Sequence, residues 1–354
     1  MPETITEHRP PHELGTVPRN AHDVTAGATS KAWQGPTYYG RSQLKPAPFE
    51  NWVVGGYIFL AGLSGAASLL SALLDATRGE AAEGTVRRGR YLSMLATVIG
   101  PVLLVYDLHT PKRFYNMLRI AKSTSPMSIG TWILMAYSAF ASVSAAAQFV
   151  ADRTPRFRWL RRTARVAAAP AAVAGAGLST YTASLLSATS TPLWAAAPKA
   201  LAVRFGASSV ASGAAALSLG ERAPRLRRTL DTVTVAALAT ELAATVASHE
   251  RYRATGVDEA LNTSAGQVER WGATRLGTIV PLALLGASLL LRPKRRPAAV
   301  AEAPADTLST LASLGVLGGS LLLRVFIMAA GDESAARPDI SFRFSQPDNL
   351  PRVD

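Results

Sequence analysis

The feature that most constrains this chain is a series of uninterrupted apolar blocks of about twenty residues, each long enough to cross a ~30 Å hydrocarbon core at ~1.5 Å of helix per residue. They cover residues 52–74, 91–108, 127–150, 166–186, 200–219, 230–248, 276–291 and 308–330. Backbone in hydrocarbon must satisfy its own hydrogen bonds, which leaves helices or a closed barrel. Barrel strands read as ~10-residue segments of alternating polarity, whereas these blocks are continuous and rich in Ala, Gly and Ser, the residues that let membrane helices approach closely. The expected fold is therefore all-α and polytopic, with about eight transmembrane helices, the seventh having the shortest apolar core. A composition of 48% apolar and only 17% charged residues fits that class.

A net charge of +13 raises the question of nucleic acid. The arginines sit at block ends rather than on one face or in a tail, which argues against it. Loops after the first, third, fifth and seventh blocks hold Arg78, Arg87, Arg88 and Arg90; Arg153, Arg156, Arg158, Arg161, Arg162 and Arg165; Arg222, Arg225, Arg227 and Arg228; and Arg292, Lys294, Arg295 and Arg296. The alternate loops are poorer, and in the third of them the cations are diluted by Glu250, Asp258, Glu259 and Glu269. By the positive-inside rule the first set faces the cytoplasm, so both termini are expected outside a cytoplasmic (inner) membrane. Residues 1–50 lack an apolar core and read as an extracytoplasmic tail rather than a secretory signal. The chain has no cysteine, so it holds no iron-sulfur cluster, thiolate zinc site or disulfide of its own.

Helix punctuation agrees in places, with Asn51 ahead of the first block and Ser125-Pro126 ahead of the third. Pro101, Pro170 and Pro281 fall inside blocks, where a kink is expected.

Ionisable groups at membrane depth are costly and so become candidates for function, with structural pairing as the alternative. Asn51, Asp107 and Tyr181 fall near one depth on the outer side. An amide, a carboxylate and a phenol around an apolar pocket could bind a quinone head group and exchange its protons; helix capping plus an interfacial tyrosine is the competing account. Arg204, Glu241 and Arg324 share a second depth, where opposite charges should pair as a buried ion cluster or form part of a proton path. Asp231, Glu241 and His249 step along the sixth block with gaps of ~15 Å and ~12 Å, too long for direct transfer. The five histidines are His8, His12, His22, His109 and His249, which supply no intramembrane pair for a haem. No metal motif, phosphate loop or dinucleotide fingerprint is present, so autonomous soluble catalysis is not expected.

The stretch LLVYDLHTPKRFYNMLRIAKSTSPMSIGTWIL, with YTASLLSATSTPLW and GGSLLLRVFIMAAG, resembles the NrfD, or polysulfide reductase membrane subunit, family over residues 49–331. The resemblance implies two four-helix bundles, here 51–190 and 191–331, followed by a C-terminal tail at 332–354. It also implies a quinone (menaquinone or ubiquinone) near the outer face of the first bundle, and no redox centre in this chain. A ferredoxin-like iron-sulfur subunit would dock there and connect to a catalytic, commonly molybdopterin, subunit. Asp107 and Arg113 match the family's motif, Tyr181 its quinone-side tyrosine, Arg324 its last-helix arginine and Asn51 a polar position in the first helix. His109 and Thr110 stand where Gly-Arg is usual. On this reading Asp107 relays protons, Tyr181 and Asn51 hold the quinone oxygens, Arg113 sets the carboxylate's charge state, and Lys112, Arg119 and Lys122 form the docking loop. A secondary transporter and a purely structural anchor are the alternatives.

Overall fold

In a computed structural model, residues 43–108, 110–154, 156–291 and 299–350 are described. Among them there is no strand. Thirteen α-helices follow one another: α1 Asn51–Arg78, α2 Glu83–Leu92, α3 Met94–Tyr106, α4 Tyr115–Arg119, α5 Pro126–Arg153, α6 Arg158–Ser187, α7 Pro192–Ala196, α8 Pro198–Leu219, α9 Pro224–Thr255, α10 Ser264–Gln267, α11 Val280–Leu291, α12 Ala299–Ala336 and α13 Pro338–Phe344. A π-helical stretch, Val268–Ile279, joins α10 to α11.

Local chemistry sets many of these limits. Proline occupies the first turn of α5, α7, α8, α9 and α13, where its missing N–H costs nothing and its fixed φ suits a helix start. Ser125 caps α5 by accepting from Ser128 N at 3.4 Å. Gly256, at φ 70°, ends α9 in the left-handed conformation that other residues resist.

Among the described residues, six stretches are long and apolar enough to cross a membrane: Asn51–Tyr106, Pro126–Arg153, Pro198–Leu219, Pro224–Thr255, Ser264–Leu291 and Asp306–Ala336. The count of eight expected above differs for two reasons. The first stretch is not one rod, because α2 and α3 double back along α1. The 30-residue α6 is not among the six because its charge-free run after Arg165 is built largely of Ala, Gly, Ser, Thr and Pro and is less apolar than the others.

Packing falls into two cycles of neighbours. α1, α3, α5 and α6 touch in turn, as do α8, α9, α11 with its π-helical lead, and α12; α1 also contacts α8 and α12. Small residues permit this. Gly65 and Gly175 bring the backbones of α1 and α6 into contact, and a Cβ on either would overlap the other's carbonyl region. The largest apolar cluster lies where α1 begins and joins both cycles through Val54, Trp194, Phe205, Tyr252 and Phe326.

The C-terminal tail expected from residue 332 is in its first part helical and buried. α12 runs on to Ala336, and Ile340, Arg343 and Phe344 of α13 are buried. Arg343 and Arg337 both bind Glu259, at 2.6 and 2.9 Å, which anchors this segment to the turn after α9. Residues 1–42, His109, 292–298 and 351–354, on which parts of the sequence reading fell, lie outside the described residues.

Candidate functional site

At the end of the molecule where α1 begins, α1, α3, α5 and α6 enclose a cavity of about 310 Å³ floored by Trp194 of α7 and Met328 of α12. Its walls are largely aliphatic: Val54, Ile58 and Ala61 from α1, Leu104 from α3, Leu134 from α5, and Leu178 and Leu185 from α6. Polar groups enter at few points, chiefly Asp107, Tyr57, Tyr181, Thr131 and Thr182. An apolar chamber with a few convergent polar groups is the usual form of a small-molecule site.

Asp107 follows the last turn of α3, and its Oδ1 accepts the Glu50 backbone N–H at 3.0 Å, at the positive end of α1. The same carboxylate lines a second, open cleft of about 500 Å³ with Glu50 and Tyr106. It therefore stands on the boundary between the apolar chamber and the surface. Tyr181 donates to the Pro126 carbonyl at 2.6 Å, and its ring crosses α5 at Gly130, where a Cβ would overlap it. Both residues thus have structural partners and also face the cavity.

Tyr57 escaped the sequence reading. It lies about one and a half turns along α1 from Asn51. It is a tyrosine inside an apolar block at the depth of Tyr181, and that was the available signal. Its hydroxyl has no hydrogen-bond partner among the described residues, and it lies within electrostatic reach of Asp107 and Tyr181. Trp194 was also missed; it is buried, donates Nε1 to the Ile327 carbonyl at 2.6 Å and stacks where Gly331 leaves room.

Two expected site residues lie elsewhere. Asn51 turns toward Asp332 of α12, whose Oδ1 accepts from Ala47 N at 3.2 Å; Asn51 does not line the cavity. Arg113 is exposed in the 3-10 turn Pro111–Arg113 and makes no ion pair with Asp107. The turn points its side chains outward, which carries the guanidinium away from the carboxylate. Lys112, Arg119 and Lys122 are likewise exposed, beside exposed Phe114, Tyr115 and Ile120.

In the second cycle of helices the expected pairing is corrected. Arg204, 1% exposed, binds Glu269 at 2.7 Å, not Glu241. Glu269 was read as part of a polar loop, but the helix extends further back than the apolar block, and Gly266, Glu269, Ala273 and Gly277 all face inward. That small-residue spacing of three and four was legible. His249 Nε2 lies 3.6 Å from Glu269 Oε1. Arg324 is held by hydroxyls and carbonyls: Nη1 donates to Ser208 Oγ at 3.0 Å and to Ser320 O at 2.7 Å, and Nη2 to Ser209 Oγ at 2.9 Å. Glu241 is buried against Thr278, 3.4 Å away, without a direct ion pair. Asp231 is fully buried and accepts from Ser218 at 2.7 Å and Ser309 at 3.0 Å. Among the described residues, no group of three or more His, Asp or Glu side chains could hold a metal.

The profile of the family described as Polysulphide reductase, NrfD matches residues 43–248, more than half of the chain. The chain belongs to the NrfD family. It is a multi-pass membrane protein, as the six apolar helical stretches and the NrfD family together require. It is also 30% identical over 90 residues to the C subunit of polysulfide reductase from Wolinella succinogenes, a match covering 25% of this protein and 28% of that one. The NrfD match takes in Asp107, Tyr181 and all four helices around the cavity.

Proposed function

We propose that this protein is the membrane anchor and quinone-binding subunit of a respiratory oxidoreductase complex. In this reading it has eight membrane passes in two four-helix bundles, the first holding the quinone chamber. It exchanges two electrons and two protons between menaquinone or ubiquinone and an adjacent ferredoxin-like iron-sulfur subunit, itself joined to a molybdopterin catalytic subunit. One observation carries the reading: Asp107 and Tyr181, far apart in sequence, converge on one apolar cavity at the same end as the exposed basic and aromatic segment 111–122. The likeness to the Wolinella succinogenes subunit supports a complex of the polysulfide reductase kind.

The chamber's chemistry fits the ring of a quinone, which when bound supplies a two-electron, two-proton carrier. Aliphatic walls take the ring and exclude water, and the Tyr57 hydroxyl is a free donor for a carbonyl oxygen. Tyr181 can donate to a ligand only by giving up Pro126. Asp107 holds and releases a proton at its Oδ atoms, and the cleft it shares with Glu50 joins that proton to the outside. A basic loop suits an acidic partner surface.

A structural anchor without quinone chemistry is the rival, favoured by the bonds that already occupy Asp107 and Tyr181. The two are separated by quinone-analogue oxidoreduction in the purified complex, comparing wild type with Asp107→Asn and Tyr181→Phe while monitoring subunit co-purification. Loss of turnover of about tenfold or more in an intact complex is expected. Unchanged turnover in both variants would leave the structural anchor as the better account.

A further inference from the structure

Near the opposite end of α1, about 40 Å from Asn51 along the helix, lies a shallow cavity of about 470 Å³ unrelated to the quinone chamber. Its lining is Arg78 from the last turn of α1 and Arg225, Arg228, Thr229, Thr232 and Val233 from the first turns of α9. No carboxylate is among these residues. The guanidinium groups of Arg78, Arg225 and Arg228 have no acceptor among the described residues.

This sets them apart from several neighbours at the same end. Arg88 binds Glu221 at 2.7 Å, Arg90 binds Asp75 at 2.9 Å, and Arg227 donates to the Asp306 carbonyl at 2.9 Å. A general excess of cations at a membrane face explains arginines there. It does not explain why three unpaired ones, on helices about 150 residues apart in sequence, converge on one recess that no carboxylate lines. The threonines cannot neutralise them or add donors, since Thr229 and Thr232 give their hydroxyl protons to the Arg225 and Arg228 carbonyls at 3.0 and 2.8 Å. Val233 of α9 lines the recess and exposed Ala236 follows it about one turn on, so apolar surface leads from the cations along α9. A span of ~40 Å from the other end places it in the headgroup layer.

We propose that this recess binds the phosphate of an acidic phospholipid, whose acyl chains lie along the α1–α9 surface. Three guanidiniums offer paired N–H donors matched to phosphate oxygens, and they do so where a lipid phosphate already resides.

The test is native mass spectrometry of the full-length protein released from mild detergent with equal phosphatidylglycerol and phosphatidylcholine. Wild type is expected to retain phosphatidylglycerol selectively. Each arginine replaced by glutamine should weaken that retention about fivefold, the equivalent of ~1 kcal/mol per cation near an anionic surface. Arg225→Gln with Arg228→Gln should therefore lose about 25-fold, and the corresponding lysine pair should keep most of it. Arg222→Gln, exposed and outside the recess, should change it less than about twofold. Arg78→Gln, on a different helix, carries the single-site expectation should the glutamine pair not fold. Equal retention of phosphatidylcholine, or an Arg222 effect as large as the Arg225 effect, would overturn the proposal. Displacement of the lipid by millimolar inorganic phosphate would make the recess a site for the free anion and overturn its assignment to lipid.

Discussion

Gly130 shows how one missing side chain shapes the site. The Tyr181 ring occupies the space a Cβ would fill, so Gly130→Ala must displace the ring and break its bond to Pro126. The expected result is loss of quinone-analogue turnover comparable to that of Tyr181→Phe, with a stability cost of about 1–3 kcal/mol from overpacking. Thermal denaturation and turnover of the same preparation would separate the two effects. Glu269 is the second such residue. It neutralises a buried arginine, so Glu269→Gln should destabilise the protein by about 3–5 kcal/mol, read as a lower thermal midpoint in detergent. Glu241→Gln, without a direct ion pair, should cost less. The sequence showed Arg204 in an apolar block and so demanded a counter-charge, but several carboxylates met that demand. Only the position of the π-helical stretch selects Glu269.

Among the elements, the α8–α9 turn carries a pH dependence whose sign follows from its contacts. Burial pushes the Glu221 carboxyl up, but hydrogen bonds from Thr85, the Ala223 N–H and Arg88 outweigh it and hold the group below the usual carboxylate range. A depressed folded-state value means this contribution is present above the unfolded carboxylate's value and is lost as pH falls through the folded one. Melting temperature should therefore drop on acidification below about pH 4.5, with a shallower slope in Glu221→Gln. An equal slope in both proteins would remove Glu221 as the cause. The π-helical stretch makes a second element-level prediction. Gly277 meets Gly319 of α12 so closely that either Cβ would overlap the other's backbone. Gly319→Leu should separate α12 from that stretch and lower the melting temperature by several degrees.

For the whole molecule, Ala47 bound to Asp332 ties the two ends of the helical body to the same face. An even number of passes is then expected, and both ends should be reached from one side of the membrane. The chain has no cysteine, so Lys45→Cys and Asp348→Cys can be labelled singly with an impermeant maleimide in intact spheroplasts. Both should react from outside, while Glu80→Cys, at the other end, should react only after lysis. Opposite behaviour of the two end positions would break the even count.

Apolar block length alone determined that this chain is helical and crosses a membrane, because hydrocarbon permits few other backbones. The charges at block ends and the depth of Asp107 and Tyr181 were legible for the same reason, since depth along a helix is a matter of counting residues. Rotation about each helix axis and the contacts across helices were not. That is why Asn51 was expected at the cavity and stands at Asp332, and why Arg113 was expected at Asp107 and faces outward. It is also why Tyr57, Glu269 and the recess of Arg78, Arg225 and Arg228 emerge only once helices distant in sequence are packed side by side.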